Sequence, residues 1–214
     1  MEISAQLVER IVREVVAQKG GAEDDMTAPI GISNRHIHLT KDDVTTLFGE
    51  GYELQKLRDL SQPGQFACKE TLTIVGPSMR PIEGVRVLGP ERSKTQVEIS
   101  RTDSFQLKVK PPVRESGKIE GSAPITIIGP KGVVTLKEGC IIANRHIHMS
   151  PKDGERFGLK DCDYVTVELS GERRTTFYDV QIRVHKDFRL EMHIDTDDAN
   201  AAGVKNGDRV KIIK

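Results

Sequence analysis

The pentapeptide Asn34-Arg35-His36-Ile37-His38 returns 110 residues later as Asn144-Arg145-His146-Ile147-His148. The chain has six histidines, and these two copies contain four of them. In an extended segment, His-x-His points both imidazoles to the same face. Two neutral imidazoles on one face can share a divalent metal ion such as zinc. The duplication therefore predicts two related halves, each contributing half of a metal site.

The two copies also share their downstream flanks. Thr40 and Ser150 are favourable N-cap residues, each followed three positions later by an aspartate. Gly49 and Gly158 suit the ends of the helices that would follow. Each copy is therefore predicted to be a strand that leads into a short capped helix. One isolated His-x-His is more often a chance surface pair than a ligand set, but duplication together with its flanks favours ligands.

The composition limits the number of domains and the kinds of partner that the chain can have. The 214 residues, 23.8 kDa, suit one large or two small domains, and with 4% aromatic residues and no Trp the cores must rest on Val, Ile and Leu. Lys+Arg and Asp+Glu are both 32, so no basic excess indicates a nucleic-acid partner. No apolar run approaches the roughly 20 residues that a membrane span needs, and no signal-peptide pattern opens the chain.

The cysteines indicate a reducing, intracellular setting. There are three of them, Cys68, Cys140 and Cys162, without a Cys-x-x-Cys spacing. We expect each to be a small buried hydrophobic residue.

Residues 2–18 are predicted to form an amphipathic helix. Ile3, Leu7, Ile11 and Val15 recur every four residues, and a polar linker begins at Lys19-Gly20-Gly21. So short a helix is marginal alone in water, so its apolar stripe needs a partner. That partner is the protein's own core, a sister subunit or another protein.

After the linker the pattern is mostly β. Short, closely spaced strands punctuated by Gly-Pro steps favour barrels or sandwiches over a doubly wound sheet. Residues 158–167 and 203–212 repeat a helix end, a tight turn, an Asp and an alternating strand, which resembles the Gly-Asp box of small pseudo-symmetric barrels. The candidate strands are Ile30–His38, Thr71–Val75, Val85–Leu88, Gln96–Ile99, Gln106–Val109, Ile125–Ile128, Gly132–Leu136, Ile141–His148, Tyr164–Leu169, Thr175–Val184, Glu191–Ile194 and Val210–Ile213.

Each His-x-His needs a third ligand, because catalytic zinc usually has three protein ligands. For the second copy we favour His193, which alternates with core-type residues, over His185, which lies in a charged Val-His-Lys-Asp segment. For the first copy the candidate is Glu98, which alternates with Val97 and Ile99. The alternative is that Glu98 faces solvent, as strand glutamates usually do.

Arginines accompany both pairs. Arg35 and Arg145 point opposite to the histidines by strand alternation, which favours a structural role. Arg92 lies in the loop that opens the Glu98 strand, where a planar guanidinium suits phosphate. A loop arginine that is simply solvated is the alternative.

Over residues 28–214 these motifs resemble the PduL-type phosphate acyltransferases, the phosphate propanoyltransferases. The motifs are the paired Asn-Arg-His-Ile-His segments, Gly-Pro-x-Arg-x-x-Thr-Gln-Val-Glu-Ile-Ser and Glu-Met-His-Ile-Asp-Thr-Asp-Asp-Ala-Asn-Ala. The family interconverts an acyl-CoA plus phosphate with an acyl phosphate plus free CoA. The resemblance implies an acyltransferase with two metal ions per chain, usually zinc, although another divalent metal is an alternative. The implied site residues are His36, His38 and Glu98 for one ion, His146, His148 and His193 for the other, and Arg92 for phosphate.

The resemblance also implies a mainly β fold of two small pseudo-symmetric β-barrels with short capping helices, plus the N-terminal amphipathic helix. One barrel would take residues 25–35 and 144–214, and the other residues 36–143 with a hairpin inserted near 51–69. Residues 1–24 would form the N-terminal helix and linker. The active site would lie between the barrels.

The implied partners are acyl-CoA or CoA, phosphate and a second copy of the chain in a homodimer, with neither nucleic acid nor membrane. The location would be cytoplasmic. In this family, short N-terminal helices can also direct the enzyme into a bacterial microcompartment of the propanediol-degradation kind, where shell or cargo proteins would bind them. The alternative for residues 1–24 is a helix docked on its own barrel or across the dimer.

Two other functions fit part of the pattern. A metal-dependent hydrolase would use a metal-bound water, but a (β/α)₈ barrel typically needs about 250 residues and long alternating helices. A non-catalytic metal-binding β module would bind metal without turnover. Phosphate dependence of thioester cleavage would distinguish an acyltransferase from the hydrolase. Activity that is lost on chelation and restored by metal would distinguish an enzyme from the non-catalytic module.

Overall fold

The computed structural model describes residues 26–214, so the helix predicted over residues 2–18 lies outside the described part. The described residues form fourteen strands and four short helices. The strands are β1 Thr27–Ser33, β2 His36–His38, β3 Lys56–Asp59, β4 Phe66–Val75, β5 Pro81–Gly89, β6 Gln96–Glu98, β7 Val113–Arg114, β8 Ala123–Ile128, β9 Val133–Ala143, β10 His146–Met149, β11 Tyr164–Leu169, β12 Thr175–Val184, β13 Glu191–Asp195 and β14 Arg209–Ile213. The helices are α1 Lys41–Phe48, α2 Arg101–Leu107, α3 Pro151–Phe157 and α4 Thr196–Ala202.

The strands close into two six-stranded barrels, which confirms the predicted fold class. The first barrel runs β1-β13-β10-β12-β11-β14 and closes where β14 pairs with β1. The second runs β9-β6-β2-β5-β4-β8 and closes where β8 pairs with β9. The assignment of the barrels to separate domains, with boundaries near residues 35 and 143, remains a proposal.

The two barrels repeat one arrangement around their His-x-His strands. In the first barrel β10 lies between antiparallel β13 and parallel β12, and in the second β2 lies between antiparallel β6 and parallel β5. His146 therefore faces His193 across its ladder, just as His36 faces Glu98. Both barrels thus place a candidate third ligand directly beside their first histidine.

Strand alternation decides which side chains enter the cores. Ile37 and Ile147, the residues between the paired histidines, are fully buried, each in the apolar core of its own barrel. Val, Ile and Leu dominate both cores. Because neighbours on a strand point to opposite faces, the flanking histidines are directed away from both cores.

The short helices α1 and α3 begin and end where the sequence predicts. The Thr40 and Ser150 hydroxyls each accept a hydrogen bond from the backbone N–H three residues later, and Gly49 and Gly158 cap the ends. Gly49 has φ 108°, a conformation that suits glycine. Ser150 forms a reciprocal capping box with its aspartate, whereas Asp43 in α1 instead accepts a hydrogen bond from Thr95.

Four sequence-based expectations were wrong in detail. The predicted strand Gln106–Val109 does not form: Gln106 and Leu107 end α2 and Lys108 caps it, because Ser100 and Asp103 form a reciprocal capping box that starts a helix. The predicted strand Ile30–His38 is divided into β1 and β2 at Asn34-Arg35, and β9 joins two strands predicted as separate. Cys162 is exposed in a turn with φ 68°, whereas Cys68 and Cys140 are buried as expected.

An inserted hairpin of β3 and the start of β4 interrupts the second barrel. Strand β3 pairs with residues 66–68 at the start of β4 and with no other strand of the described chain. Its residues are exposed on both faces. Among residues 26–214 there is no helix with the length and apolarity to cross a bilayer.

Two arginine–aspartate pairs anchor the segments before the histidines, as strand alternation predicts. Arg35 Nε and Nη2 donate to the carboxylate of Asp103 at 2.9 and 2.7 Å, and Asp103 is also the capping residue of α2. Arg145 Nε donates to Asp198 of α4 at 2.8 Å. Each pair therefore ties a His-x-His strand to the helix that follows its antiparallel neighbour.

We expect Asp103→Ala to lower the free energy of unfolding by about 2 kcal/mol or more, because it removes a helix cap and leaves Arg35 without its buried partner. Arg174→Gln is the matched control, since it breaks an ion pair whose arginine is 71% exposed and should cost less than about 0.5 kcal/mol. Urea unfolding measures both values. Equal losses in the two variants would show that Arg35–Asp103 is not an anchor.

Candidate metal centre

Two triads of candidate metal ligands line one cleft of about 800 Å³ to which both barrels contribute. His36, His38 and Glu98 come from the second barrel, and His146, His148 and His193 come from the first. Within each triad the potential ligand atoms lie within 4.8 Å of one another. Sequence reasoning named all six, and the structure brings them together in these two groups.

The first triad combines two imidazoles with one carboxylate. The Nε2 atoms of His36 and His38 lie 3.5 and 4.0 Å from the carboxylate oxygens of Glu98. His36 Nδ1 donates to the carbonyl oxygen of Asn34 at 2.8 Å, which leaves Nε2 as the free ligand atom. All three ligand side chains are buried, so Glu98 does not face solvent.

The second triad consists of three imidazoles in mutual ring contact. The ring centroids of His148 and His193 are 4.6 Å apart, and those of His146 and His193 are 5.0 Å apart. His146 Nδ1 donates to the carbonyl oxygen of Asn144 at 2.8 Å, which repeats the orientation of His36. His185, the competing candidate, is exposed and lies 3.5 Å from Asp187 instead.

Burial keeps the second triad neutral. It lowers the pKa of His146 to about 3 and that of His193 to about 4, and it lowers the pKa of His148 well below its usual range. Neutral imidazole is the form that binds a metal ion. Three neutral rings packed together without a bound cation leave buried ring nitrogens without hydrogen-bond partners. Such unpartnered polar atoms lower the stability of the folded protein.

In the first triad, charge attraction outweighs burial. Burial raises the pKa of Glu98, but the adjacent His36 more than offsets it and holds that pKa well below the ordinary range. Burial likewise lowers the pKa of His36, but Glu98 outweighs it and raises that pKa. Glu98 is therefore ionised, and the first triad contains a carboxylate that the second lacks.

Unpartnered buried nitrogens fit a bound cation. Among the described side chains, His38 Nδ1, both ring nitrogens of His148 and His193 Nε2 are buried without a hydrogen-bond partner. His193 Nε2 lies 3.2 Å from Glu191 Oε2, but the two atoms do not form a hydrogen bond. Sets of two imidazoles plus a carboxylate and of three imidazoles are both zinc-type ligand sets. The residues present therefore fit a divalent ion at each triad.

Arg92 reaches the same cleft and is not simply solvated. Its side chain is partly buried, and its Nη1 donates to the hydroxyl of Ser116 at 3.1 Å. Ser116 in turn donates to Glu98 at 2.8 Å and accepts from Gln96 at 3.0 Å. Ser116 thus connects Arg92 to the first triad. It is 24 residues from Arg92 and 18 residues from Glu98 in the sequence, so no local sequence pattern indicates these contacts.

Two further cleft residues beside the second triad were not predicted from the sequence. Phe188 stacks on His148 with ring centroids 3.9 Å apart, and Arg183 lies 5.6 Å from the centroid of the Phe188 ring. In the ladder Arg183 pairs with His148. The arginine's position beside a histidine becomes visible only once the register of β10 and β12 is known.

The tip of the inserted hairpin, Ser61 and Gln62, crosses to the first barrel. Ser61 donates a short hydrogen bond to Glu191, and Gln62 donates to the same carboxylate at 3.1 Å. Gln62 also exchanges two hydrogen bonds of 3.2 Å with the backbone of Arg189. The hairpin therefore closes one side of the cleft next to His193.

None of the three cysteines, all in the described part of the chain, lines the cleft. Burial raises the pKa of Cys68 to about 11 and that of Cys140 to about 12. A nucleophilic cysteine needs an accessible thiolate with a lowered pKa.

Comparisons with known proteins agree on one family. The family model for phosphate propanoyltransferase matches residues 29–205. A phosphate propanoyltransferase of Lachnoclostridium phytofermentans is 55% identical over 208 residues, which are 97% of this chain and 97% of that protein. A phosphate propanoyltransferase of Thermotoga maritima is 60% identical over 186 residues, which are 86% of this chain and 88% of that protein. A phosphate propanoyltransferase of Rhodopseudomonas palustris is 45% identical over 226 aligned positions, which cover 100% of this chain and 100% of that protein. The chain therefore belongs to the phosphate propanoyltransferase family, a family of phosphate acyltransferases.

Proposed function

We propose that this chain interconverts a short-chain acyl-CoA, propanoyl-CoA or acetyl-CoA, plus phosphate with acyl phosphate plus free CoA at a dinuclear metal centre. The observation that supports this most strongly is the pair of triads in one cleft with Arg92 beside them. Membership of the family supports the reaction class, and the triads support the metal-dependent form of it.

The proposed ligands are His36, His38 and Glu98 for one ion and His146, His148 and His193 for the other. Zinc is the proposed metal, although imidazole and carboxylate sets accept other divalent ions. When bound, such ions would act as Lewis acids for the thioester oxygen, the phosphate oxygens and the departing thiolate. The backbone carbonyls of Asn34 and Asn144 would hold His36 and His146 in the ligating orientation.

Arg92 is proposed to bind and orient phosphate. A planar guanidinium can donate two parallel hydrogen bonds to a phosphate, and Ser116 limits the directions available to it. A phosphate oxygen then forms a bond to the carbonyl carbon of the thioester, the carbon–sulfur bond breaks, and the sulfur leaves as a thiolate. The thiolate takes a proton from solvent to give free CoA.

We propose direct attack by phosphate rather than an acyl-enzyme intermediate. Cys68 and Cys140 are buried with raised pKa values, and Cys162 lies in an exposed turn away from the cleft. An acyl-cysteine would need one of these thiols at the cleft with an activating base. Both substrates must then be bound together.

The test of the proposed reaction is whether thioester cleavage requires phosphate. Purified protein is given propanoyl-CoA with and without inorganic phosphate, and both free CoA and propanoyl phosphate are measured. We expect equal amounts of the two products and no CoA release without phosphate. Release of CoA in phosphate-free buffer would instead indicate a hydrolase.

We expect two divalent ions per chain, measured by elemental analysis of the active protein. His193→Ala should retain about one ion, because it removes one of three ligands from the second triad. His185→Ala is the matched control and should retain both, since that histidine is exposed and outside the triads. Full activity with one ion or none would contradict the dinuclear proposal.

We expect Arg92→Lys to raise the KM for phosphate about tenfold or more while the KM for propanoyl-CoA changes little, because a point-charge ammonium cannot reproduce the bidentate fork. Arg80→Lys, at an exposed position outside the cleft, is the control. Steady-state kinetics with each substrate varied give the values. An unchanged phosphate KM and kcat would remove Arg92 from the site.

We propose that residues 1–24 direct the enzyme into a bacterial microcompartment. Both barrels close within residues 27–213 without a strand from residues 1–24. The apolar stripe from Ile3 to Val15 then needs a partner, and shell or cargo proteins would supply it. Docking on a barrel face or across a dimer is the competing use of the stripe.

Deletion of residues 1–24 is therefore expected to leave turnover and melting temperature nearly unchanged and to abolish recruitment to the shell. The same residues fused to a fluorescent reporter should direct it there. Fluorescence microscopy and thermal unfolding provide the two readouts. A large fall in melting temperature, or loss of an oligomer, would show that the segment belongs to the folded enzyme.

A further inference from the structure

We propose that Arg183 is a second phosphate-binding residue, and that Glu115 is the counter-ion that it exchanges for phosphate. This inference rests on the proposed phosphate acyltransferase function. It gives phosphate one guanidinium from each barrel, Arg92 from the second and Arg183 from the first.

The internal repeat singles out Arg183. In the ladder beside each His-x-His, His36 pairs with Arg86 and His146 pairs with Gln181. Two residues further along these strands stand Leu88 and Arg183, so they occupy equivalent positions, and both line the cleft. Because a leucine serves the barrel equally well at this position, the fold itself does not require the arginine.

The guanidinium of Arg183 is held at the second triad without being fully paired. It lies 5.6 Å from the centroid of the Phe188 ring, which stacks on His148, and its side chain is 22% exposed. A guanidinium has five N–H donors. Among the described carboxylates Glu115 alone pairs with Arg183, through Nη2 at 3.4 Å, so most of these donors are available to a ligand.

The contact between Arg183 and Glu115 is loose. Its shortest distance, Nη2 to Oε1, is 3.4 Å, and among the described carboxylates only Glu115 forms an ion pair with this arginine. Glu115 lies closer to Lys118, at 2.7 Å. Charge-assisted hydrogen bonds of good geometry are about 2.7–2.9 Å long. Glu115 can therefore release Arg183 and keep a partner.

One short loop holds both arginines. Ser116 accepts the hydrogen bond from Arg92, and its neighbour Glu115 forms the ion pair with Arg183. Burial lowers the pKa of Arg92, and Glu98 opposes this effect, whereas the positive charge of Arg183 adds to it, so the two guanidinium groups repel each other. A dianion between them would relieve that repulsion, which is the electrostatic arrangement expected of a phosphate site.

The experiment compares Arg183→Gln, Arg183→Lys, Glu115→Gln and the surface control Arg174→Gln with the unchanged protein. Each metal-loaded protein is titrated with inorganic phosphate by calorimetry, and metal content and melting temperature are recorded on the same samples. Steady-state kinetics give the KM for phosphate, the KM for propanoyl-CoA and kcat. Phosphate-dependent cleavage by the unchanged protein is established first, and its absence would refute the proposed function, whatever Arg183 does.

We expect Arg183→Gln to weaken phosphate binding about tenfold or more, with a smaller loss for Arg183→Lys, which keeps the charge and serves if the glutamine variant does not fold. Arg174→Gln should bind phosphate as the unchanged protein does. Glu115→Gln should bind phosphate equally well or more tightly, because it removes the competing carboxylate. The proposal is overturned if neither Arg183 variant weakens phosphate binding beyond about twofold, or if Glu115→Gln weakens it as much as Arg183→Gln.

Discussion

Strand alternation at the two Asn-Arg-His-Ile-His segments is the constraint on which the rest of the structure depends. The central isoleucine of each copy is buried in a barrel core, so the flanking histidines must point the other way, into the cleft. The preceding arginine is tied to an aspartate on a neighbouring helix, which fixes the entry of each strand. A slip of one residue would place histidines in the core and isoleucine in the cleft.

The internal repeat places equivalent side chains on both sides of the cleft, and the two barrels carry different residues at some of these equivalent positions. Opposite the first histidine of each pair stands Glu98 in one barrel and His193 in the other, so one triad contains a carboxylate and the other only imidazoles. Arg183 occupies the position that is Leu88 in the second barrel. Two inequivalent half-sites suit a reaction between two different substrates, one a thioester and the other a phosphate.

Local sequence patterns predicted the features of the fold and the site that depend on residues close together in the chain. Periodicity and caps indicated most of the strands, the starts of α1 and α3 and all six triad residues, because alternation relates each third ligand to buried neighbours. The strand predicted at Gln106–Val109 was wrong because the capping box at Ser100 outweighs a short alternating pattern. The roles of Ser116 and Glu191 were missed because each depends on contacts across loops or barrels, which follow from the topology and not from spacing.

We propose that acyl transfer is direct, with CoA thioester and phosphate held together in the cleft to which both barrels contribute. Exchange of isotopically labelled CoA into propanoyl-CoA tests this mechanism. Without phosphate or acyl phosphate, a direct mechanism predicts no exchange, because no acyl group leaves the thioester until phosphate attacks. Exchange should appear when phosphate is added. Exchange at the rate of turnover in phosphate-free solution would reveal an acyl-enzyme and contradict the claim.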